Sequence, residues 1–184
     1  MPELDFSSIL SDSSRSLADY VAASIADDDK LFRQVIDLAY QQKSPLSMRA
    51  ARVADLACQR NPDLIRPYLV DMVKNLPGLT DMSVKRVFMH ILIRHSWVED
   101  DEAMGKLVIV LFKWLKDDAQ SIAVKAYAMD ILEKISAVVP ELKIEMIAVL
   151  EEVIPFWKSA ALQYTGRKTL KQLRKARRRD NEGA

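Results

Sequence analysis

The chain has 184 residues, of which 49% are hydrophobic and 29% charged, and its formal net charge at pH 7 is +1. This length suits a single domain with a substantial core, and four glycines beside eight methionines favour helices over strands. The single cysteine, Cys58, excludes an intramolecular disulfide, so we expect a reducing, cytoplasmic location. No apolar run reaches the roughly 18–20 residues that cross a bilayer, and we expect neither a membrane role nor a signal peptide.

The residue pattern predicts one folded domain between two flexible ends. Residues 1–13 are rich in Ser and Asp without periodicity, which is typical of a flexible N-terminal arm. Residues 14–176 carry amphipathic helical patterns joined by short connections, which predict a short leading helix and four helix pairs. The last of these helices is expected to cover residues 157–176. Residues 177–184 are predicted to be a flexible basic and polar tail.

Capping residues and prolines predict where several of these helices begin. In Ser44-Pro45 we expect the Ser44 hydroxyl to be the N-cap and the proline to be the first helical residue. Asn61 is the next predicted N-cap, and Pro67 should kink the helix that Asn61 opens. Thr80 or Asp81 is expected to cap the helix after that.

One stretch recurs along the chain with a step of about 40 residues. It reads MSVKRVFMHIL at Met82–Leu92 and SIAVKAYAMDIL at Ser121–Leu132, with a weaker copy, SMRAARVADL, at Ser47–Leu56. After the basic residue of each copy come a Met or Val and then a Leu, at Val53 and Leu56, Met89 and Leu92, and Met129 and Leu132. Such a period in a helical chain is typical of a stacked-helix solenoid.

On these residues the chain resembles HEAT and armadillo-type helical repeat proteins. The second helix of a HEAT repeat typically reads Val-Arg, then a small residue three positions on and Leu four positions further. The third copy matches at Val124, Lys125, Ala128 and Leu132. At the position where a HEAT repeat has a small residue, the second copy has Phe88 and the first copy has Arg52. The resemblance covers roughly residues 28–175 and implies an all-α, right-handed α-α superhelix, with about four helix pairs and a short N-terminal helix.

The repeat places basic residues at equivalent positions, namely Arg49, Lys85 and Lys125. Stacked repeats would align them as a positive stripe on the inner face, which suits an acidic peptide or phosphates. Alternatively, each fixes the stacking by binding a carboxylate or a helix-end carbonyl. We predict a non-catalytic scaffold that binds an acidic segment of a protein partner on its concave face. The candidate partner-binding residues are Arg49, Arg52, Lys85, Arg86, Lys125 and Arg167.

Positive charge is concentrated at the C-terminal end of the chain. Residues 1–157 carry 18 Lys and Arg against 24 Asp and Glu, a net charge of −6, whereas residues 158–184 carry nine against two. These cations would neutralise phosphates in salt-sensitive, sequence-tolerant binding of nucleic acid, the alternative function. Otherwise they form the solvated outer face of a terminal repeat. The nucleic-acid candidates are Arg167, Lys168, Lys171, Arg174, Lys175, Arg177, Arg178 and Arg179.

Two Trp-x-x-x-Asp pairs are the candidates for a catalytic site: Trp97 with Asp101, and Trp114 with Asp118. Their spacing is similar to that in the alkylpurine DNA glycosylases of the DNA alkylation repair family, which are built from HEAT-like repeats. In that family the aspartate helps to cleave the glycosidic bond. The resemblance is one of spacing only, and it implies base excision as a variant of the nucleic-acid alternative.

Neither a metal site nor a cofactor site is predicted. His95 and Glu99 lie four residues apart and would share a helix face, but His90 would point about 140° away from His95. Two ligands without a third do not make a metal site. Four glycines, scattered along the chain, form no phosphate-binding loop.

Overall fold

The computed structural model describes residues 5–95 and 100–182, and within these ranges the chain is helical and contains no strand. The predicted all-α fold is therefore confirmed. The chain divides into two compact units, Met1–Ile91 and Leu92–Ala184. The single domain expected over residues 14–176 stays a prediction, since each unit is compact by itself. No helix of the described residues is long and apolar enough to cross a membrane.

The first unit is built around a central helix, α4. Its helices are α1 (Phe6–Ile9), α2 (Arg15–Ile25), α3 (Asp29–Tyr40), α4 (Leu46–Arg60), α5 (Leu69–Asn75) and most of α6 (Met82–Arg94), with 3₁₀ turns at Pro62–Tyr68 and Leu76–Gly78. Helix α4 packs against both α2 and α3. Phe88 of α6 contacts Tyr40 of α3 edge-on, with ring centroids 5.1 Å apart. This aromatic pair brings α6 into the same core as α3.

The second unit is built around α8 in the same way. It contains α7 (Asp101–Lys116), α8 (Ile122–Val138), α9 (Leu142–Val153), a 3₁₀ turn at Ile154–Phe156 and α10 (Ala160–Glu182). Helix α8 packs against α7, α9 and α10, and α10 also packs against α9. The contacts of α8 bury much of its surface, including Val124, Ala128, Met129, Ile131, Leu132 and Ile135.

The register of the repeat is confirmed by the helix boundaries. Arg49, Lys85 and Lys125 are each the fourth residue of their helix, in α4, α6 and α8 respectively. The apolar positions that follow them in the repeat are all buried, at Val53, Leu56, Met89, Leu92, Met129 and Leu132. The three copies therefore present the same face to a core and place a cation in the same first turn.

The predicted cap at Asn61 is confirmed. Its side-chain oxygen accepts a hydrogen bond from the Asp63 amide at 3.2 Å, and its amide group donates to the Ala26 carbonyl at 2.9 Å. Pro67 lies inside the 3₁₀ turn that Asn61 opens, and α5 begins only at Leu69. The expected interruption occurs there because proline has no amide hydrogen for an α-helical bond.

The predicted cap at Ser44 is wrong. Helix α4 begins at Leu46 without a side-chain cap, and the Ser44 hydroxyl donates instead to Asp81 Oδ2. Asp81, one of the two caps expected for α6, accepts from the Ser83 amide at 2.9 Å. Ser44 therefore helps to hold the start of α6 rather than the start of α4.

The two ends that the sequence predicts to be flexible are partly helical over their described residues, and their flexibility stays a prediction. In the N-terminal arm, Asp5 caps α1, and Phe6 and Leu10 are buried, so the few apolar residues of this segment hold it on the unit. At the other end, α10 continues through residue 182 because nothing in residues 177–180 breaks a helix. Asp180 Oδ2 also accepts from Lys143 Nζ of α9 at 2.6 Å.

We expect Gly166→Ala and Gly105→Ala to change stability in opposite directions. A Cβ at Gly166 would lie 2.7 Å from Trp157 Cζ3 and 2.9 Å from Ile154 Cγ1, so overpacking should lower the free energy of unfolding by about 1–3 kcal/mol. A Cβ at the exposed Gly105, within α7, would have no atom within 4 Å. Alanine at this position should raise the free energy of unfolding by about 0.5–1 kcal/mol, because glycine is unfavourable inside a helix. Urea unfolding measures both, and equal effects would contradict the packing around Gly166.

Candidate functional site

Arg49 and Arg52 of α4 hold the N-terminal segment of the chain. Arg49 Nη1 donates to the carbonyls of Leu10 and Ser11 at 3.0 and 2.8 Å, and its Nε donates to Ser13 Oγ at 3.1 Å. Arg52 Nη1 donates to the Ser13 carbonyl at 3.1 Å. Their guanidinium groups thus bind an extended piece of the chain itself, as in the stacking alternative.

In the second copy of the repeat, the two basic neighbours differ in burial. Lys85 is only 6% exposed, whereas Arg86 is exposed to solvent. Their role in partner binding stays a prediction. Of the two, Arg86 is the side chain that a partner would reach without a rearrangement of the core.

Lys125, the third repeat cation, lines a pocket in the second unit. The cavity volume is about 140 Å³, and the lining residues are Asp118, Gln120, Ile122, Lys125, Trp157, Lys158, Ser159 and Leu162. Lys125 is 4% exposed, with Nζ 3.9 Å from Asp118 Oδ1 and 5.7 Å from the centre of the Trp157 ring. The carboxylate is too far for a hydrogen bond, so the ammonium is held by a loose ion pair and by the ring face.

The wall around Trp157 is fixed by hydrogen bonds on both sides of the residue. The indole Nε1 donates to the Leu115 carbonyl at 3.2 Å, and Gln163 Nε2 donates to the Trp157 carbonyl at 2.6 Å. Ser159 Oγ accepts from the Leu162 amide at 3.3 Å in the first turn of α10. These bonds give the pocket a preformed shape.

The opposite wall is the connection between α7 and α8. Gln120 Nε2 donates to Asp117 Oδ2 at 2.9 Å, while the buried Gln120 Oε1 accepts no hydrogen bond within the described residues. The bond from Gln120, the bond from the Ala119 amide and the nearby Lys125 charge hold the pKa of Asp117 below its usual value. This wall therefore offers an unsatisfied acceptor beside a nearly buried cation.

The solvent-facing side of α10 is the most strongly charged surface of the second unit. Its exposed cations are Arg167, Lys168, Lys171, Arg174, Lys175, Arg178 and Arg179, spaced so that they share one side of the helix. The opposite side buries Leu162, Gly166, Thr169 and Leu173. The sequence-predicted nucleic-acid residues are therefore brought together on one face, except for Arg177, which lies beside Glu151 of α9 at the edge of this face.

Only some of these cations have acidic partners in the described residues. Arg174 Nη2 lies 2.5 Å from Glu151 Oε1, and the charge of Lys168 acts on the half-buried carboxyls of Asp130 and Glu133 in α8. Burial raises the pKa of both carboxyls, and the Lys168 charge opposes that rise. The cations of this face without an ion pair there are Arg167, Lys171, Lys175, Arg178 and Arg179.

Of the two candidate catalytic pairs, only Trp114 with Asp118 lies wholly within the described residues, and its two side chains differ in burial. Trp97 lies outside the described residues, and its partner Asp101 is the exposed first residue of α7. Trp114 is buried in α7, whereas the side chain of Asp118 is 85% exposed at the pocket rim. An exposed carboxylate is poorly placed to stabilise a developing positive charge by exclusion of water.

The two histidines considered as metal ligands are His90, which makes a contact between helices, and His95, which lies at the end of the described range 5–95. His90 Nδ1 lies 3.1 Å from Asp55 Oδ2 of α4, which ties α6 to α4. Glu99 lies outside the described residues. Among residues 5–95 and 100–182, no three His, Cys, Asp or Glu side chains cluster closely enough to hold a metal ion.

Sequence reasoning missed the side chains that complete the Lys125 pocket. Trp157 and Ser159 were expected in the last helix and Gln120 in the first turn of the helix that carries Lys125, and none of them was expected to form a pocket with Lys125. Trp157 and Ser159 lie more than 30 residues after Lys125 in the sequence, and Gln120 lies in the loop before α8. No local periodicity therefore links these residues to Lys125. An aromatic residue at the entry to the last helix was the one available signal.

We expect Arg49→Met to loosen the N-terminal segment. The loss of charged hydrogen bonds to Leu10, Ser11 and Ser13 should lower the free energy of unfolding by about 1.5–3 kcal/mol and speed amide exchange in residues 5–14. As a control, Arg15→Met removes only the exposed pair with Asp19 and should change stability by less than about 1 kcal/mol. Hydrogen exchange read by mass spectrometry measures the segment, and unchanged exchange in Arg49→Met would contradict its anchoring role.

Comparison with known proteins identifies the family to which the repeat belongs. The family model described as HEAT repeat domain matches residues 7–173. Searches against curated proteins and against solved structures gave no significant match. The matched range takes in nine of the ten helices of the described residues almost whole and the first part of α10, with all three copies of the repeat. The chain therefore belongs to the HEAT repeat domain family.

Proposed function

We propose that this HEAT repeat chain is a non-catalytic binding scaffold that recognises an acidic segment of a protein partner. The observation that carries the proposal is the cationic side of α10, where Arg167, Lys171, Lys175, Arg178 and Arg179 have no ion pair in the described residues. A HEAT repeat domain commonly acts in protein interactions. A partner's carboxylates would supply the counter-charges that these side chains lack.

The geometry of α10 suits a short extended segment. Residues 167–178 cover about 17 Å of helix at about 1.5 Å per residue, and their cations follow one side of it. The 23-residue helix is held on α9 by Lys143–Asp180 and Arg174–Glu151. A partner would therefore meet a rigid row of charges and lose little binding energy in ordering the receptor.

An acidic peptide suits this surface better than a long nucleic acid does. Double-stranded DNA carries a charge about every 1.7 Å over its whole length. The rest of the second unit, residues 92–157, carries seven Lys and Arg against twelve Asp and Glu, so a polyanion that extends beyond α10 would meet like charge there. Tyr164, 72% exposed, is the sole exposed aromatic side chain on the solvent side of α10 within residues 160–180, which gives few places for bases to stack.

The repeat cations contribute unequally to this proposed function. The predicted inner-face residues Arg49, Arg52 and Lys85 are partly or wholly buried, and the first two bind the chain's own backbone. Arg167 is exposed on the cationic side of α10, and Arg86, in the first unit, is exposed as well. We assign the main contact to α10.

We expect the triple variant Lys171→Glu, Lys175→Glu and Arg178→Glu to lose binding of an acidic peptide. The probe is a fluorescently labelled Glu-rich peptide of about ten residues, which exceeds the 17 Å of the face at about 3.3 Å per residue. Loss of three favourable pairs and gain of three like-charge contacts should weaken binding at least about 30-fold at low salt. Fluorescence anisotropy measures the affinity.

The matched control is Lys30→Glu, Lys43→Glu and Lys113→Glu, three exposed lysines on other elements with the same change in net charge. It should keep most of the peptide binding. Single-stranded and duplex DNA are titrated beside the peptide over a range of salt. Tighter binding to DNA than to the peptide, lost only in the α10 variant, would sink the acidic-segment proposal and favour the nucleic-acid alternative.

A further inference from the structure

The first and third copies of the repeat can be compared directly, because their cations occupy the same helical position. Arg49 and Lys125 are each the fourth residue of their helix. At Arg49, the chain's own residues 10–13 run past the cation and supply two carbonyl oxygens and a hydroxyl within 3.1 Å. Beside Lys125 there is instead a pocket of about 140 Å³, lined by residues of the α7–α8 connection and of the start of α10.

Lys125 is placed where a positive charge is unfavourable. The first turn of a helix carries a positive partial charge, and removal from water adds a desolvation penalty. Its ammonium has three hydrogens to donate. The nearest carboxylate oxygen, of Asp118, lies 3.9 Å away on a side chain that is 85% exposed, and the Asp117 carboxyl interacts with the ammonium through charge alone. A nearly buried ammonium with such a weak counter-charge calls for an anionic ligand.

The remaining pocket walls select among anions. The Trp157 ring, Leu162 and Ile122 form apolar walls that suit methylene groups. Gln120, held by its bond to Asp117, lines the same pocket as a polar wall. The cavity of about 140 Å³ gives room for one side chain.

We propose that the Lys125 pocket binds a single carboxylate side chain, a glutamate, from the acidic segment of the protein partner. The carboxylate would displace the loose Asp118 contact and pair with Lys125, with the exposed Lys158 at the rim as a second cation. The methylenes would pack on Trp157. This assignment rests on the proposed function and names the residue type that the scaffold selects.

Substitution of Asp118 distinguishes a ligand-binding role of Lys125 from a purely structural one. If the Asp118–Lys125 contact only stabilises the fold, Asp118→Asn lowers the free energy of unfolding and leaves ligand affinity unchanged. If Asp118 competes with an incoming carboxylate, Asp118→Asn raises the affinity about two- to fivefold, as loss of an exposed ion pair predicts. Its exposed position makes this variant safe for folding.

The probe is N-acetyl-glutamate N-methylamide, and its glutamine analogue is the neutral control of the same shape. Binding to the full chain is followed by NMR on the amide resonances of Gln120 and Ile122 and on the Trp157 indole resonance. We expect the glutamate compound to shift these resonances with an affinity about tenfold or more above that of the glutamine compound. Lys125→Met should lower the affinity for the glutamate compound by about the same factor. Lys113→Met, which replaces an exposed lysine of α7, should leave the affinity unchanged.

Equal shifts by the two compounds, or unchanged binding in a folded Lys125→Met protein, would overturn the pocket assignment. If Lys125→Met does not fold, Asp118→Asn and Lys158→Met test the same pocket from its rim. The α10 triple variant separates the two proposals. Pocket binding that persists in that variant, while the acidic peptide does not bind the unchanged protein, leaves the pocket standing and removes the proposed function. Peptide binding without any glutamate-specific shift does the reverse.

Discussion

A cation in the first turn of the repeat's second helix is the constraint on which much of the surrounding structure depends. The helix end disfavours positive charge there, and burial adds to the penalty. In α4 the N-terminal segment satisfies the requirement, because its carbonyls reach Arg49. In α8 the cation lies against the Trp157 ring and has only a loose contact with Asp118. The requirement is therefore met within the first unit at Arg49 and only in part within the second unit at Lys125.

The helices and their register could be predicted from the sequence, because both depend on local spacing. The apolar positions after Lys85 and Lys125 recur at intervals that bury one side of a helix, and the structure buries them. Ser44 shows where such reasoning ends. Its hydroxyl had a local capping role available, but it bonds to Asp81, 37 residues along the chain. The pocket partners of Lys125 were missed for the same reason, since Trp157 meets α8 only through packing.

The acidic side chains that act on the α10 cations lie on α8 and α9, the two helices against which α10 packs. Glu151 of α9 takes Arg174, and the half-buried Asp130 and Glu133 of α8 face Lys168. The net charge of +7 in residues 158–184 is therefore not neutralised evenly. It is concentrated on the side that no described element of the unit covers. The outer face of a repeat needs polar side chains, but these need not all be positively charged. A solvated face alone therefore does not explain the excess of positive charge on α10.

The two anion-binding surfaces assigned to the second unit would act at different ranges. The exposed lysines and arginines of α10 lie in water, where each pair contributes little and salt weakens it, so they govern the encounter rate more than the final affinity. Lys125 lies out of water beside Trp157, where a charge-assisted hydrogen bond is stronger and a misplaced group leaves a buried ammonium unpaired. Acidic segments of any sequence would be attracted by the first surface. Selection among them would come from the second, because only a carboxylate at the right position in the segment can enter a pocket with room for one side chain.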